Sequence, residues 1–226
     1  MSSAARIAPA EATNPEAAGF VLAGGRSSRM GADKAFLQLH GQPLIAHALA
    51  PLRQAGLQAS IAGGQPALAA FAPLIEDKHA GQGPLGGICS ALAATSALRA
   101  VFVSVDSPFL PPSLISLLLH HAEITGAAVT VSSVNGFAQT FPVALHRSVA
   151  PALERELASS GGGCFAAFQA AAADLGESVA VVPVELFVQS GQLSHPHALP
   201  PAWWFLNANT PLDLHRAEVL FKANIA

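Results

Sequence analysis

Short apolar runs alternate with amphipathic stretches along most of the chain. The run from Gly19 to Ala23 is apolar, stops at two glycines and predicts a buried strand. The run Ala100-Val-Phe-Val-Ser-Val105 is almost continuously apolar, which is typical of a strand covered on both faces in a parallel sheet. Shorter runs predict further strands at 57–62, 74–75 and 179–184.

Helices are predicted between these strands. Residues 43–55 carry a single apolar face, Pro43 stands where a first helical residue is favoured, and Gly56 follows the end. Further helices are predicted at 67–72, 88–98, 113–123, 149–158, 165–175 and 212–222. Alternating strands and helices are expected of a mostly parallel sheet with helices on both sides. We therefore predict one α/β domain over residues 19–226, preceded by a disordered tail over residues 1–18.

The second half of the chain is less regular. Residues 127–133 and 137–145 predict two strands, which we expect to form a subdomain laid over the ligand side of the sheet. Residues 189–202 are rich in histidine, proline and glutamine and predict a loop. Residues 205–211 are expected to include the end of a last strand.

Composition narrows the class of protein. Of the 226 residues, 51% are hydrophobic and 11% are charged, and the formal net charge is −3 without a basic cluster, which argues against a nucleic-acid partner. Glycine and proline interrupt the uncharged window 54–75, so it does not predict a membrane span. The first 18 residues have one basic residue, Arg6, and no apolar core typical of a secretory signal. Cys89 and Cys164 lack a paired spacing. We expect reduced thiols in a cytoplasmic protein.

The loop after the first strand has the composition of an anion-binding site. It combines three glycines with three cations: Gly24, Gly25, Gly31, Arg26, Arg29 and Lys34. Glycines at a strand end let backbone N–H groups converge on an anion, which suits a polyphosphate. The loop lacks the spacing of a P-loop and of a dinucleotide fingerprint. The alternative is a tight turn with solvated charges.

Residues 22–34, Leu-Ala-Gly-Gly-Arg-Ser-Ser-Arg-Met-Gly-Ala-Asp-Lys, resemble the signature of the molybdenum cofactor guanylyltransferases. The resemblance covers roughly residues 19–220, with further strong matches at 84–87 (Pro-Leu-Gly-Gly), 106–108 (Asp-Ser-Pro) and 207–211 (Asn-Ala-Asn-Thr-Pro) and weak similarity elsewhere. The resemblance implies a Rossmann-like three-layer α/β/α nucleotidyltransferase fold. It also implies transfer of GMP from GTP to molybdopterin with release of pyrophosphate.

The resemblance implies roles for individual residues. Arg29, Lys34 and Asp106 would be catalytic, and Asp106 would hold Mg²⁺, which prefers one or two carboxylates together with phosphate oxygens. Asn207 and Asn209 would lie on the acceptor side, near the pterin. The implied nucleotide-binding residues are Leu22, Ala23, Gly24, Gly25, Lys34, Asp77, Pro84, Leu85, Gly86 and Asp106. Transient contacts with proteins of cofactor synthesis or with molybdoenzymes are also expected.

Each of these residues also has a structural explanation. Asp106 could form a turn or cap a helix, residues 81–87 could be a flexible connector, and Asn209 or Thr210 could cap the helix that starts near Pro211.

Two positions depart from the family pattern. The second predicted strand ends in Ile61-Ala-Gly-Gly64, where the family usually has an asparagine that contacts the nucleotide, and residues 161–164 lack an arginine pair. Three alternatives stay open: a cytidylyltransferase for the same cofactor, a sugar-phosphate nucleotidyltransferase, and a silent nucleotide-binding module that delivers cofactor. Leu-Ala-Gly-Gly at 22–25 favours guanylyl transfer, because the cytidylyl relatives tend to have Leu-Ala-Ala-Gly.

Overall fold

A seven-stranded sheet forms the centre of the computed structural model, which describes residues 16–24, 33–159 and 163–224. The strands are β1 (Ala17–Leu22), β2 (Gln38–Leu39), β3 (Gln42–Pro43), β4 (Gln58–Ala62), β5 (Leu74–Ile75), β6 (Arg99–Ser104), β7 (Val129–Val134), β8 (Phe137–His146) and β9 (Ala180–Pro183). The order in the main sheet is β5-β4-β1-β6-β8-β7-β9, and β2 pairs with β3 in a separate small hairpin. All pairings of the main sheet are parallel except those made by β8. The predicted mostly parallel sheet is confirmed.

Helices cover both faces of this sheet. They are α1 (Leu44–Gln54), α2 (Gly83–Ala94), α3 (Pro112–Thr125), α4 (Ala150–Ser159), α5 (Cys164–Asp174), α6 (Val184–Gln189), α7 (Pro201–Trp204) and α8 (Pro211–Asn224), with short 3₁₀ turns at Lys34–Phe36, Pro66–Ala70 and Arg147–Val149. One core cluster joins α1 and α3 to one face of the sheet, and the other joins α2, α4 and α5 to the opposite face. The predicted three layers are therefore present.

Strand β6 lies at the middle of the sheet and is buried on both faces. The side chains of Val101, Phe102 and Val103 are all fully buried, and the rings of Phe102 and Phe20 on β1 stack with centroids 5.2 Å apart. Strands β5, β4, β1 and β6 run parallel in that order, so their carboxyl ends meet along one side of the sheet. We call this side the carboxyl end of the sheet. Ligands of open parallel sheets bind outside such an end.

Strands β7 and β8 form a hairpin within the main sheet, so the predicted separate subdomain is wrong. Asn135 and Gly136 connect the two strands with φ values of 52° and 79°, as the tight two-residue turn of a hairpin requires. This turn returns the chain directly, and β8 then pairs antiparallel with β6 through residues 143–146. The hairpin thus extends the sheet instead of covering it.

Other boundaries also differ from the predictions. Strand β1 begins at Ala17, two residues before the predicted start. Helix α2 begins at Gly83 instead of residue 88, because Pro84 suits a first helical turn and the following glycines pack closely. Residues 205–210 form no strand. They follow α7 as an irregular segment in which Ala208 N donates to Asp106 O at 2.8 Å.

Across the described ranges, each helix is too short or too polar to cross a membrane.

Candidate functional site

Three adjoining cavities lie at the carboxyl end of the sheet. The first, which we call the large cleft, has a volume of about 910 Å³ and is lined by residues from the ends of β1, β4 and β5, including Gly24, Gly63, Gly64, Glu76, Asp77 and Gly81. The second, the central cavity, is about 170 Å³ and is lined by Leu22, Ala23, Gly24, Asp33, Lys34, Pro84, Ser104, Val105, Asp106 and Phe141. The third, the aromatic cavity, is about 140 Å³ and is lined by Ser104, Asp106, Ser107, Gln139, Phe141, Phe205 and Asn207.

The floor of the large cleft depends on glycines at two neighbouring strand ends. A Cβ at Gly63 would lie 3.3 Å from the Cα of Gly24, and Gly63 has a φ of +73° that L residues rarely adopt. The loops after β1 and β4 can therefore approach each other closely.

Asp77 is held at the side of the large cleft by local hydrogen bonds. Its Oδ1 accepts from the backbone N–H of His79 at 2.9 Å and from the Ser90 hydroxyl at 3.4 Å. Ser90 is buried and its Oγ also accepts from the backbone N–H of Lys78 at 3.0 Å. A Cβ on Gly24 would lie 3.9 Å from Asp77 Oδ2. These contacts fix the Asp77 carboxylate beside Gly24.

The predicted residues 84–86 divide between the site and the core. Pro84 lines the central cavity, whereas Leu85 is buried in the core cluster beneath α2. Gly86 packs against the loop that carries Asp77, since a Cβ there would lie 2.9 Å from both the Cβ and the carbonyl oxygen of His79. These residues form the first turn of α2, so the alternative of a flexible connector is wrong for them.

The central cavity brings a cation and a carboxylate together. Lys34 begins a 3₁₀ turn that Asp33 caps by accepting from the backbone N–H of Ala35 at 3.0 Å. Lys34 Nζ lies 3.5 Å from Asp106 Oδ2, and Asp106 Oδ1 accepts from the Ser104 hydroxyl at 2.6 Å. Both side chains are mostly buried, with 21% and 15% exposed. Burial strengthens their mutual attraction and holds them in place.

The segment from residue 207 to 210 crosses the end of β6. Ser107 donates its hydroxyl hydrogen to Asn207 Oδ1 at 2.8 Å, and Asn209 Oδ1 accepts from Lys34 Nζ at 2.6 Å. Thr210 caps α8, because its N–H and hydroxyl both donate to Asp213 Oδ2 while its Oγ accepts from Asp213 N. These hydrogen bonds lower the pKa of the Asp213 carboxyl, with the Thr210 hydroxyl first among the causes. The predicted cap is therefore Thr210.

The aromatic cavity contains residues that the sequence did not single out. Gln139 and Phe141 lie on β8 where its pairing with β7 shifts register, and both side chains line this cavity. The ring of Phe141 is held edge-on by Phe168, with centroids 6.4 Å apart, and Phe205 contributes the second aromatic wall. The Asn-Gly turn could have indicated a hairpin, but the pairing of β8 with β6 is a tertiary contact without a local signal.

Several predicted or titratable groups lie elsewhere. Gly25 and Arg29, like Arg26, lie outside the described residues. Burial raises the pKa of the Cys89 thiol to about 12 and that of Cys164 to about 11, so neither is prepared to act as a thiolate nucleophile.

The donor atoms of the central cavity fit a magnesium ion that is completed by substrate. Among the described residues there is no group of three or more His, Cys, Asp or Glu side chains that could enclose a metal ion. Asp106 supplies one carboxylate that lines both the central cavity and the aromatic cavity. Mg²⁺ commonly takes one or two carboxylates and fills its other positions with phosphate oxygens and water. The residues therefore suit a metal that arrives with a nucleotide.

A family model and several known proteins are similar to this chain. The model of the MobA-like NTP transferase domain matches residues 19–184. A molybdenum cofactor guanylyltransferase of Xanthomonas euvesicatoria pv. vesicatoria is 50% identical over 103 residues, which are 45% of this chain and 52% of that protein. A molybdenum cofactor guanylyltransferase of Rhodobacter capsulatus is 31% identical over 215 residues, covering 92% of this chain and 97% of its own length.

A solved structure has the same fold. The molybdopterin-guanine dinucleotide biosynthesis protein A of Archaeoglobus fulgidus superimposes with a TM-score of 0.72 at 24% identity, over 91% of this chain and 98% of that one. The chain spans about half the length of several curated relatives that it matches, including the Xanthomonas protein. The Rhodobacter capsulatus alignment extends over nearly the whole chain.

Proposed function

Because the chain belongs to the MobA-like NTP transferase family, we propose that it is a molybdenum cofactor guanylyltransferase. It would transfer GMP from GTP to molybdopterin, forming molybdopterin guanine dinucleotide and releasing pyrophosphate. The observation that carries this proposal is the position of Lys34 and Asp106 in the central cavity, between the large cleft and the aromatic cavity. A donor nucleotide and an aromatic acceptor can thus approach one reaction centre from opposite sides.

In this proposal the large cleft holds the guanosine and the central cavity holds the phosphates. The terminal phosphate of the acceptor attacks the α-phosphorus, a new P–O bond forms, and the bond to the pyrophosphate oxygen breaks. Lys34 faces the negative charge that develops on the phosphoryl oxygens, a preorganised electrostatic role. Asp106 would hold Mg²⁺, which supplies Lewis-acid neutralisation of the phosphates when bound. Positioning and charge neutralisation are the main requirements of such a transfer.

The aromatic cavity is the proposed place for the pterin ring. Phe141 and Phe205 provide apolar faces, and Gln139 and Asn207 provide amides that can read the edge of a heterocycle. The hydrogen bond from Ser107 occupies Asn207 Oδ1, which leaves the amide N–H groups of Asn207 as donors. This arrangement supports Asn207 as an acceptor-side residue.

One assay can test both the preference for the nucleotide base and the identity of the acceptor. Pyrophosphate release should be measured with each of GTP, CTP, ATP and UTP, with and without molybdopterin. We expect release that depends on molybdopterin and is at least about tenfold faster with GTP than with any other nucleotide, a discrimination of the size that lost hydrogen bonds to a base produce.

The same assay separates the alternatives. Activity with CTP alone would indicate a cytidylyltransferase, and activity with a sugar phosphate in place of molybdopterin would indicate a sugar nucleotidyltransferase. Nucleotide binding without turnover in the presence of molybdopterin would identify the silent delivery module.

Phe205→Ala tests the acceptor cavity. We expect the KM for molybdopterin to rise about tenfold because one stacking face is lost, while the Kd for GTP stays within about twofold. Phe137→Ala is the matched control, since Phe137 is a phenylalanine of β8 that is 74% exposed and lies outside the cavity. An unchanged KM in Phe205→Ala with a normal melting temperature would place the pterin elsewhere.

We propose that the enzyme acts in the cytoplasm, with transient contacts to proteins that supply molybdopterin or receive the product. The chemistry of the substrates supports this proposal, since both are intracellular metabolites in the proposed reaction. The two free cysteines are compatible with a reducing compartment.

A further inference from the structure

Asn209 contacts the lysine of the central cavity, whereas Asn207 contacts the aromatic cavity. Asn209 Oδ1 accepts a hydrogen bond from Lys34 Nζ at 2.6 Å, which is shorter than the 3.5 Å between Lys34 Nζ and Asp106 Oδ2. Asn207 is one of the described residues that line the aromatic cavity, and Asn209 is not. Of these two asparagines, which are two positions apart, Asn207 thus lines the aromatic cavity and Asn209 contacts Lys34.

Asn209 is held firmly enough to orient another side chain. On one side, Ala208 N donates to the backbone oxygen of Asp106 at 2.8 Å, which ties the segment to the end of β6. On the other side, Thr210 and Asp213 form the cap of α8 with hydrogen bonds of 2.8–3.2 Å. The backbone at Asn209 is therefore held on both sides, next to the strand end that carries Asp106.

We infer that Asn209 is a positioning residue for Lys34 and acts on the nucleotide half of the reaction. A lysine side chain has a flexible four-carbon stem and loses much rotamer freedom when its ammonium group is held in one place. A hydrogen bond from the charged ammonium to the amide oxygen offsets that loss before the nucleotide arrives. The lysine is then already oriented when the phosphates bind.

The chemistry of an amide suits this role better than that of a carboxylate. Asn209 accepts one hydrogen bond but carries no charge, so it orients the ammonium without neutralising it. A second N–H of Lys34 contacts Asp106 Oδ2 at 3.5 Å, and the third stays available for phosphate oxygens. When Asp106 is engaged by a metal ion, Asn209 would still keep Lys34 in the central cavity. This inference rests on the proposed function insofar as a triphosphate is the ligand of Lys34.

The test separates the two asparagines by the substrate that each affects. The affinity for GTP and for inorganic triphosphate is measured by calorimetry without acceptor, and the KM for molybdopterin is measured by pyrophosphate release. Asn209→Ala should weaken the binding of both GTP and triphosphate about tenfold. Asn209→Asp should weaken binding at least as much, although it retains an acceptor for Lys34, because its charge opposes the phosphates. Asn207→Ala, the matched control, should leave triphosphate affinity within about twofold and raise the KM for molybdopterin.

A double-mutant cycle distinguishes positioning from a general structural effect. In a Lys34→Ala background, Asn209→Ala should cause no further loss of triphosphate affinity, because the side chain that it orients is gone. Equal losses in the presence and absence of Lys34 would overturn the inference, as would unchanged affinity in Asn209→Ala. Failure of the unaltered protein to bind either ligand would overturn both this inference and the proposed function. Triphosphate binding without GMP transfer to molybdopterin would contradict the proposed function alone, and the triphosphate measurements would still decide the role of Asn209.

Discussion

Asp106→Asn is expected to reduce the rate of GMP transfer by on the order of a thousandfold, because the substitution removes the carboxylate shared by the central and aromatic cavities. The amide keeps the size of the side chain and can still accept from Ser104, which donates to Asp106 Oδ1 at 2.6 Å. The loss is therefore one of charge. The lost charge should lower kcat and raise the Mg²⁺ concentration that gives the half-maximal rate, both measured by pyrophosphate release. Metal-free GTP affinity should not fall, since the negative charge beside Lys34 has been removed.

Asp174→Asn is the matched control for this prediction. Asp174 is an exposed carboxylate on α5 that pairs with Arg155 and lines none of the three cavities. The same chemical change there should leave turnover within about twofold, as exposed ion pairs contribute little. If Asp106→Asn retained more than about a tenth of the original rate, Asp106 would be excluded from the metal and catalytic roles.

Gly86→Ala is expected to lower both stability and nucleotide affinity. A Cβ at this position would lie 2.9 Å from the carbonyl oxygen and the Cβ of His79, so backbone must shift to admit it. Overpacking of this kind destabilises by about 1–3 kcal/mol. For a domain of this size that corresponds to a fall in Tm of roughly 2–10 °C. The displaced backbone also positions Asp77, whose carboxylate accepts from His79 N at 2.9 Å, and we expect GTP to bind about tenfold more weakly.

The adjacent glycine provides the control. A Cβ at Gly87 would meet its nearest neighbour, Leu22 Cδ2, at 3.4 Å, which is ordinary van der Waals contact. Gly87 lies within α2, where alanine is favoured over glycine by up to about 1 kcal/mol. Gly87→Ala should therefore keep or raise the melting temperature and leave GTP affinity unchanged. Equal behaviour of the two variants in calorimetry and in GTP binding would show that the contact with His79 does not constrain this loop.

The C-terminal segment connects the two halves of the proposed reaction. Asn207 lies at the aromatic cavity, Asn209 lies at Lys34, and Ala208 between them is bonded to the backbone of Asp106. Helix α8 adds a second tie to the segment that carries Lys34. Glu218 accepts from the backbone N–H of His40 at 2.6 Å, and the rings of His40 and Phe221 stack with centroids 4.4 Å apart. The proposed donor and acceptor subsites therefore share one structural support.

The sequence by itself determined the class of fold and the edge at which the site lies. Apolar runs that end in glycine or aspartate predict strands whose carboxyl ends meet, and Gly24, Asp77 and Asp106 do lie at adjoining strand ends. This prediction succeeds because burial sets the apolar pattern locally and because parallel pairing brings equivalent ends together. The capping of α8 by Thr210 could also be anticipated from the sequence, because a helix cap depends on residues next to each other in the chain.

Tertiary structure alone decided which side chains meet. Lys34 and Asn209 are 175 positions apart, and their hydrogen bond exists because α8 and its preceding segment pack across the end of β6. The hairpin of β7 and β8 joins the main sheet through pairing with β6, and this brings Phe141 and Gln139 beside Asp106. Helix and strand patterns reflect which face of an element is buried, but not which element covers it. The proposed acceptor half of the site depends on that choice of neighbours, and so the folded chain was needed to find it.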